Sequence, residues 1–360
     1  MIRQTLAILV DAYRDLNARK LFWITLILSA LIVVAFSLVG VHGNAITIAG
    51  YHIDARSPVF IYKSIFSQVV IGAWLTWAAT VLALVSTAGI FPDFISGGSI
   101  DLYLAKPIGR LRLFLTKYFS GLLFVALQVL IVAVGSYLAM GIRIGQWKPS
   151  IFWAIPIVLC FFSYLFSICV LLGVSTRSTI AALLLTIVCW MLLALVDRVA
   201  EPSLLMFQKV YEYQADQDRQ QADSNEAFLR RAEADPKAAK LLDGARERAQ
   251  TSRQDADKSA HTARVLQNVH RGIYALKTIT PKTTDTINLL DRFIFTKAEL
   301  NGFSQNQQSP GPDQAAMVAG AREMAQELRS RSTAWIVGTS LGFEVVLVAG
   351  AAWVFCRRDY

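Results

Sequence analysis

Long apolar runs alternate with short polar segments along this chain of 360 residues. Six of these runs are long enough to cross a hydrocarbon core of roughly 30 Å at about 1.5 Å per helical residue. Each predicts one membrane-spanning helix: 21–41, 68–91, 113–140, 151–174, 179–196 and 335–355. Because the number of spans is even, both termini are expected on the same side of the membrane. The pattern predicts an all-α, polytopic membrane protein.

The runs divide the chain into three regions. Residues 1–197 hold an N-terminal segment and the first five spans, residues 198–332 form a polar insertion, and residues 333–360 hold the sixth span and the C-terminus. In the N-terminal segment, apolar residues recur at helical spacing: Ile2, Leu6, Leu9, Tyr13 and Leu16. They predict an amphipathic helix that lies in the headgroup region or extends into solvent. Between the first two spans, the alternation in 45–48 predicts a small hairpin with 51–53.

Composition and charge agree with this assignment and orient the chain. Hydrophobic residues make up 54% and charged residues 17% of the sequence, and the mean hydropathy is +0.45. The net charge of +9 does not come from the insertion, which holds 20 Lys and Arg against 18 Asp and Glu. Eleven basic residues border the spans on the side of the termini: Arg3, Arg14, Arg19, Lys20, Lys106, Arg110, Arg112, Lys117, Arg177, Arg357 and Arg358. Four lie in the short loops opposite: Arg56, Lys63, Arg143 and Lys148. By the positive-inside rule the termini are cytoplasmic and the insertion is external, and nothing indicates nucleic-acid binding.

A short polar and basic passage, residues 92–112, separates the second and third runs and is therefore expected in the cytoplasm. Gly98 interrupts any continuous helix, Ser99 can cap a new one, and Pro107 ends it. The sequence thus predicts a helix of about two turns at 100–105. A basic elbow follows it: Lys106, Arg110, Arg112 and Lys117. A short amphipathic helix at the membrane surface is suited to docking a soluble partner, although an ordinary cytoplasmic loop has the same charge.

This passage resembles the cytoplasmic loop of the permease subunits of type-2 ATP-binding-cassette (ABC) exporters. In that loop an acid, a glycine triplet, leucines, a proline turn and a lysine follow one another. The matching positions are Asp93, Gly98, Ile100, Leu102, Leu104, Pro107, Arg110 and Lys117. The chain departs from the pattern in having Asp for Glu, Ile for Leu, and Gly109 in place of Ser. The turn 175–178 and the ending 357–359 are also similar, so the resemblance covers about the first 200 residues and the last 30.

The resemblance implies a coupling helix that sits in a groove of a separate ATPase subunit, flanked by an N-terminal elbow helix. It implies two ATPase copies that hold ATP and Mg, a second permease copy or a paralogue, surrounding membrane lipids, and export across a bacterial cytoplasmic (inner) membrane. The sequence contains no phosphate-binding loop and no nucleophile and base pair, so we expect no enzymatic activity and no cofactor or metal in this chain. The alternative function is a membrane anchor or mechanotransmission subunit that presents the insertion to a periplasmic partner.

The insertion is rich in helix-forming residues at 208–232 and 237–276, with a break at Asp235 and Pro236, which predicts a helical hairpin. Its apolar stripe is strong only at the end near the membrane: Val265, Val269, Ile273 and Leu276. We expect the distal part to be held mainly by i,i+4 charge pairs. The apolar segment 287–295 is expected at the outer membrane interface, and 301–313 is expected to be disordered.

Two polar residues within the spans are candidates for the translocation pathway. Glu344 lies near the middle of the last span, and Gln128 lies in the third. An ionised carboxylate in the bilayer costs several kcal/mol unless it is paired, hydrated or protonated. We therefore predict that Glu344 faces protein or water, either in the path or at a gate, or as a structural contact between helices.

Overall fold

The computed structural model describes residues 20–42, 45–48, 51–54, 58–96, 109–145, 147–234, 242–294 and 312–358. The predicted elbow helix and the coupling helix at 100–105 lie outside these residues, as do most of 301–313. The chain divides into two compact units. The first contains Met1–Ala194, Thr280–Leu300 and Thr333–Tyr360, and the second contains Leu195–Ile279 and Asn301–Ser332.

The first apolar run forms a helix that is shorter than predicted. Helix α1, Lys20–Ser37, ends before Val39, and its apolar part falls below the length of the other candidate spans. Strands β1 (Val39–His42), β2 (Ala45–Ile48) and β3 (Tyr51–Asp54) follow as an antiparallel sheet. The assignment of 38–41 to the span was therefore wrong, because Val39 and Val41 pair with Ile48 and Ile46. The predicted hairpin between β2 and β3 is confirmed, with Ile46 opposite Ile53.

The second span begins earlier than predicted, with α2 at Pro58–Ile65. It continues as a π-helix, Phe66–Ala79, and as α3, Thr80–Thr87. Within it the hydroxyls of Thr76 and Thr80 each donate to a carbonyl five residues earlier, at 2.8 Å, which matches the wider π-helical turn. A short helix follows, α4 at Pro92–Ser96. The third span is α5, Arg110–Ile144, which is longer than its apolar run.

The fourth span is a 3-10 turn, Pro149–Trp153, followed by α6, Ala154–Thr176. Arg177 ends α6 in the left-handed conformation, with φ of 55°, and α7 begins at Thr179. Only two residues thus separate the helices of spans four and five, as the short gap between the two apolar runs indicates. Helix α7, Thr179–Leu195, is followed by a π-helical turn, Val196–Ala200.

Helix α6 is at the centre of the first unit. It packs against α5 and against the last span, α12, Thr333–Arg357. Gly121 of α5 lies so close to α6 that a Cβ there would be 2.6 Å from the Phe166 ring. Helix α10, Thr283–Ile294, buries Leu289 and Leu290 and stacks Phe293 on Trp153 at 5.2 Å between ring centroids. Among the described residues, five helical segments are long and apolar enough to span a membrane. A sixth span, formed by the first run, stays a prediction.

The second unit consists of three helices in its described part. These are α8 (Glu201–Ala234), α9 (Leu242–Ile279) and α11 (Pro312–Ser330). Helix α8 packs against both others. Gly320 of α11 lies so close to α8 that a Cβ there would be 2.9 Å from the Val210 backbone nitrogen. Helices α8 and α9 confirm the two long helices predicted for the insertion.

The prediction that i,i+4 charge pairs mainly hold the distal part of the α8 and α9 hairpin was wrong. Most of the buried residues of these two helices recur every seven positions, as in a coiled coil. On α8 these are Glu201, Gln208, Ala215 and Ala222, and on α9 they are Ala249, Ala256, Ala263, His270 and Lys277. The predicted apolar stripe faces outward instead: Val265 is 47% exposed, Val269 46% and Leu276 55%. Alanine permits closely packed helices, so the distal hairpin is held by a packed seam and not by surface charge pairs alone.

Candidate coupling face and buried polar sites

One end of the first unit is joined by hydrogen bonds between helix termini. Arg110, the first residue of α5, donates from Nη1 to the backbone oxygens of Cys356 and Arg358, both at 3.1 Å. These oxygens lie at the C-terminal end of α12, where the carbonyls lack partners within the helix. A guanidinium there also compensates the negative end of the helix dipole. Arg110 thus fastens the start of the third span to the end of the last.

Arg358 makes the equivalent contact to the next helix. Its Nη1 donates to the backbone oxygens of Val174 at 2.8 Å and Ser175 at 3.2 Å. Both oxygens belong to the last turn of α6. Arg358 therefore joins the end of α12 to the end of α6. The sequence showed the Arg pair after the last span but not this role.

Asp93 lies in the first turn of α4, where a carboxylate is favoured by the helix dipole. Its Oδ1 accepts a hydrogen bond of 3.0 Å from the hydroxyl of Thr179, the first residue of α7. The contact connects the loop after span two with the turn between spans four and five. Together with the arginine contacts, it brings the ends of α4, α5, α6, α7 and α12 together. We call this group of helix ends, joined through Asp93, Arg110, Thr179 and Arg358, the coupling face.

Lys117 lies inside the protein beside this face. The side chain is only 9% exposed, and its ammonium is 5.3 Å from the centre of the Phe94 ring in α4. A cation over an aromatic face is attracted electrostatically. Lys117 therefore holds α4 against α5 rather than presenting its charge at the surface. The other predicted coupling residues lie outside the described part of the chain: Gly98, Ile100, Leu102, Leu104 and Pro107.

Glu344 contacts protein on both of its carboxylate oxygens. The Tyr118 hydroxyl of α5 donates to Oε1 at 2.8 Å, and the Ser163 hydroxyl of α6 donates to Oε2 at 2.7 Å. These two bonds replace much of the hydration that a carboxylate loses in the bilayer. These contacts agree with the prediction that Glu344 faces protein or water, and its role in the pathway stays a prediction. The partners were not predictable, because two helices distant in sequence from α12 supply them.

Gln128 belongs to a different contact between helices. Its side chain is 3% exposed, and its amide nitrogen lies 3.5 Å from the Ser29 hydroxyl of α1. The Trp74 indole donates to the same hydroxyl at 3.2 Å. Within the described residues the Gln128 amide oxygen has no hydrogen-bond partner. Ser29 of α1 is thus contacted by both Gln128 of α5 and Trp74 of the π-helix, whereas Glu344 joins α12 to α5 and α6.

A fully buried lysine at α10 was missed by sequence reasoning. Lys282 is 0% exposed, and its ammonium donates to the Thr339 hydroxyl at 2.6 Å and lies 4.3 Å from the centre of the Trp335 ring. Its backbone nitrogen donates to the Ser340 hydroxyl at 3.0 Å. The residue attaches α10 to the N-terminal part of the last span. One indication of this buried site was present in the sequence: Lys282 directly follows Pro281 and lies between two apolar segments.

The second unit contains a buried network of four charges, also missed from the sequence. Lys277 bonds Glu201 and lies 3.5 Å from Asp197, and Arg331 bonds the other oxygen of Glu201. Lys277 and Glu201 are 0% exposed, and Asp197 and Arg331 are also buried at their side chains. The guanidinium of Arg331 lies over the Tyr274 ring at 5.5 Å. The network has no net charge, as a buried cluster requires.

Several apolar helices, internal polar contacts and a joined set of helix ends define a multi-pass membrane protein. The family model described as "ABC-2 family transporter protein" matches residues 7–360. The chain therefore belongs to the ABC-2 transporter family, and the resemblance inferred from residues 92–112 is confirmed. Members of this family are membrane subunits of transporters and not their ATPases.

A short stretch of the chain is similar to a curated bacterial protein. "Uncharacterized protein YhcI" of Bacillus subtilis (strain 168) is 30% identical over 95 residues, a stretch that covers 26% of this chain and 30% of that protein. The chain thus matches less than a third of the length of YhcI. No solved structure matches the chain.

Proposed function

We propose that this chain is the permease subunit of an ABC exporter, which couples ATP hydrolysis by a separate ATPase subunit to export of a substrate. The coupling face carries the proposal. Residues 97–108 connect α4 to α5, and the ends of these helices are bonded to the ends of α6, α7 and α12. A force applied to that loop by a soluble partner therefore acts on most of the spans at once.

The partners proposed with this role are two ATPase copies, which hold ATP and Mg, and a second permease copy or a paralogue. The location proposed is a bacterial cytoplasmic membrane, with both termini and the coupling face inside. The excess of basic residues on that side supports the orientation. The insertion is then extracytoplasmic and accessible to a periplasmic partner.

The coupling role is tested with Arg110→Glu combined with Leu102→Gly. Charge reversal removes both hydrogen bonds to α12, and glycine weakens the predicted coupling helix. We expect permease-dependent stimulation of the copurified ATPase to fall at least about tenfold, or about 1.4 kcal/mol of coupling free energy, while membrane insertion is kept.

A matched control exists on the same helix. Arg143, at the other end of α5, donates to the backbone oxygens of Ser37 and Leu38 at 2.7 and 3.3 Å. Arg143→Glu removes a similar pair of bonds far from the coupling face along α5 and should leave ATPase stimulation nearly unchanged. Full stimulation in the Arg110 and Leu102 double variant would contradict the proposed coupling face.

The proposed orientation is tested by thiol labelling in intact cells. Ser224 is exposed on α8, so Ser224→Cys in a chain without the four native cysteines should react with an impermeant thiol reagent. Thr176→Cys, exposed at the C-terminal end of α6, should react only after lysis. The reverse pattern of labelling would overturn the orientation.

A further inference from the structure

The second unit contains a groove between the C-terminal parts of α9 and α11. Its volume is about 540 Å³, within the range typical of small-molecule sites. Most of the exposed area of its wall is apolar, although five of the seven lining residues carry a polar group: His270, Arg271, Tyr274, Ala275, Thr278, Ile279 and Glu327. The exposed apolar stripe, represented by Val265, lies on a different face of α9.

His270 lines this groove and carries an unused hydrogen-bonding group. The side chain is 8% exposed, and its Nε2 has no hydrogen-bond partner among the described residues. Burial lowers the pKa of His270, and the carboxylates of Glu201 and Glu327 offset this only in part. The imidazole is therefore neutral at neutral pH, and it can form one hydrogen bond to a bound molecule. A buried polar atom without a partner costs free energy that such a bond would recover.

The charges around the groove favour an anion. The carboxylate of Glu327 lies 3.5 Å from the Lys209 ammonium, which also pairs with Glu212 at 3.2 Å, and Glu201 is bonded to Lys277 and Arg331. Each of the nearby carboxylates thus has a cationic partner. Arg271, in contrast, lines the groove and forms no ion pair within the described part of the chain. A guanidinium binds carboxylate and phosphate groups in bidentate geometry.

We propose that this groove binds a small amphiphilic anion. Its carboxylate or phosphate group is held by Arg271 and His270, and its apolar part lies against Tyr274, Ala275 and Ile279. The ring of Tyr274 is held in place by Arg331 on one side, so this wall is preorganised. The site is independent of the coupling face and of ATP hydrolysis.

The test uses the full chain in discs of phosphatidylcholine, which carries no net charge. Three diazirine probes with the same alkyl chain are compared: dodecanoate, dodecyl phosphate and dodecanol. The labelled peptide that contains His270–Ile279 is quantified by mass spectrometry, with and without excess unmodified dodecanoate. We expect saturable labelling by one or both anions and not by the alcohol. The preferred anion identifies a carboxylate or a phosphate ligand.

Arg271→Gln should reduce this labelling about tenfold, as expected for the loss of a charge-assisted hydrogen bond. Arg248→Gln is the control, because Arg248 is exposed on the same helix far from the groove. Equal labelling of the two variants, or equal labelling by dodecanol, would show a nonspecific apolar surface. Labelling that unmodified dodecanoate does not displace would show adventitious partitioning. Each of these outcomes overturns the site and leaves the proposed export function untouched.

Discussion

Lys277→Met is expected to destabilise the second unit by about 3–5 kcal/mol, because it removes one member of a buried network and leaves the others uncompensated. Lys277 bonds Glu201 and lies 3.5 Å from Asp197, and all three side chains are almost fully buried. Arg331 then balances only one of the two remaining carboxylates. Methionine keeps most of the volume of the lysine stem, so the loss is electrostatic and not a cavity effect.

Hydrogen exchange of α8 and α9 in the full chain measures this effect. Protection of both helices should fall in Lys277→Met, while α6 keeps its protection. Lys258→Met is the surface control, because Lys258 pairs with Asp255 at 3.3 Å while 75% of its side chain is exposed. Such a pair contributes about 0–1 kcal/mol.

A second variant separates net charge from packing. Lys277→Met combined with Asp197→Asn leaves the pair of Glu201 and Arg331, which is neutral. We expect this double variant to recover part of the lost protection. If Lys277→Met keeps the protection of the original chain, or if the double variant is no better than the single one, the network does not stabilise the unit through charge balance.

Much of the membrane unit was predictable because the length of an apolar run directly limits the length of a span. The fourth span illustrates this, with 151–174 predicted and 149–176 helical. The end of the first run was not predictable in the same way. Val39 and Val41 are as apolar as the residues of α1, and hydropathy alone does not separate a short strand from the end of a helix. The β-branched residues around Gly40 were the only sign of a strand.

The packing of the insertion was missed for a different reason. Large apolar residues marked Val265, Val269 and Leu276 as the contact face, but these side chains are exposed. The buried seam follows a seven-residue repeat, in which alanine fills two positions on α8 and three on α9. Alanine carries little hydropathy signal, so only the repeat itself, which includes His270 and Lys277, indicated the seam.

The candidate sites were predictable as single residues but not as contacts. Glu344 stood out because a carboxylate within a span is costly. Its partners Tyr118 and Ser163 are ordinary span residues, and only tertiary packing brings them to it. Arg110 was matched to the family pattern, whereas its bonds to the end of α12 depend on how the third and last spans meet. The functional roles of these residues stay predictions.

Glu344→Leu is expected to impair transport far more than stability. The two hydroxyls that bond Glu344 have other acceptors: Tyr118 Oη lies 3.5 Å from the Ser163 backbone oxygen, and Ser163 Oγ bonds the Cys160 backbone oxygen at 2.8 Å. Removing the carboxylate therefore strands neither hydroxyl, so we expect folding stability to change by about 1 kcal/mol or less. If Glu344 lines the translocation path, substrate transport should fall at least about tenfold.

Glu344→Gln sharpens this test because it keeps the shape and one acceptor oxygen while it removes the charge. We expect folding and dimerisation close to those of the original chain, with altered transport. Tyr118→Phe and Ser163→Ala, which each remove one donor, are the matched controls for a purely structural role. If Glu344 only joins α12 to α5 and α6, all four variants should reduce thermal stability and transport in parallel. Transport at the original rate in Glu344→Leu would show that the carboxylate has no role in the path, because the leucine provides neither charge nor a hydrogen-bonding group at that position.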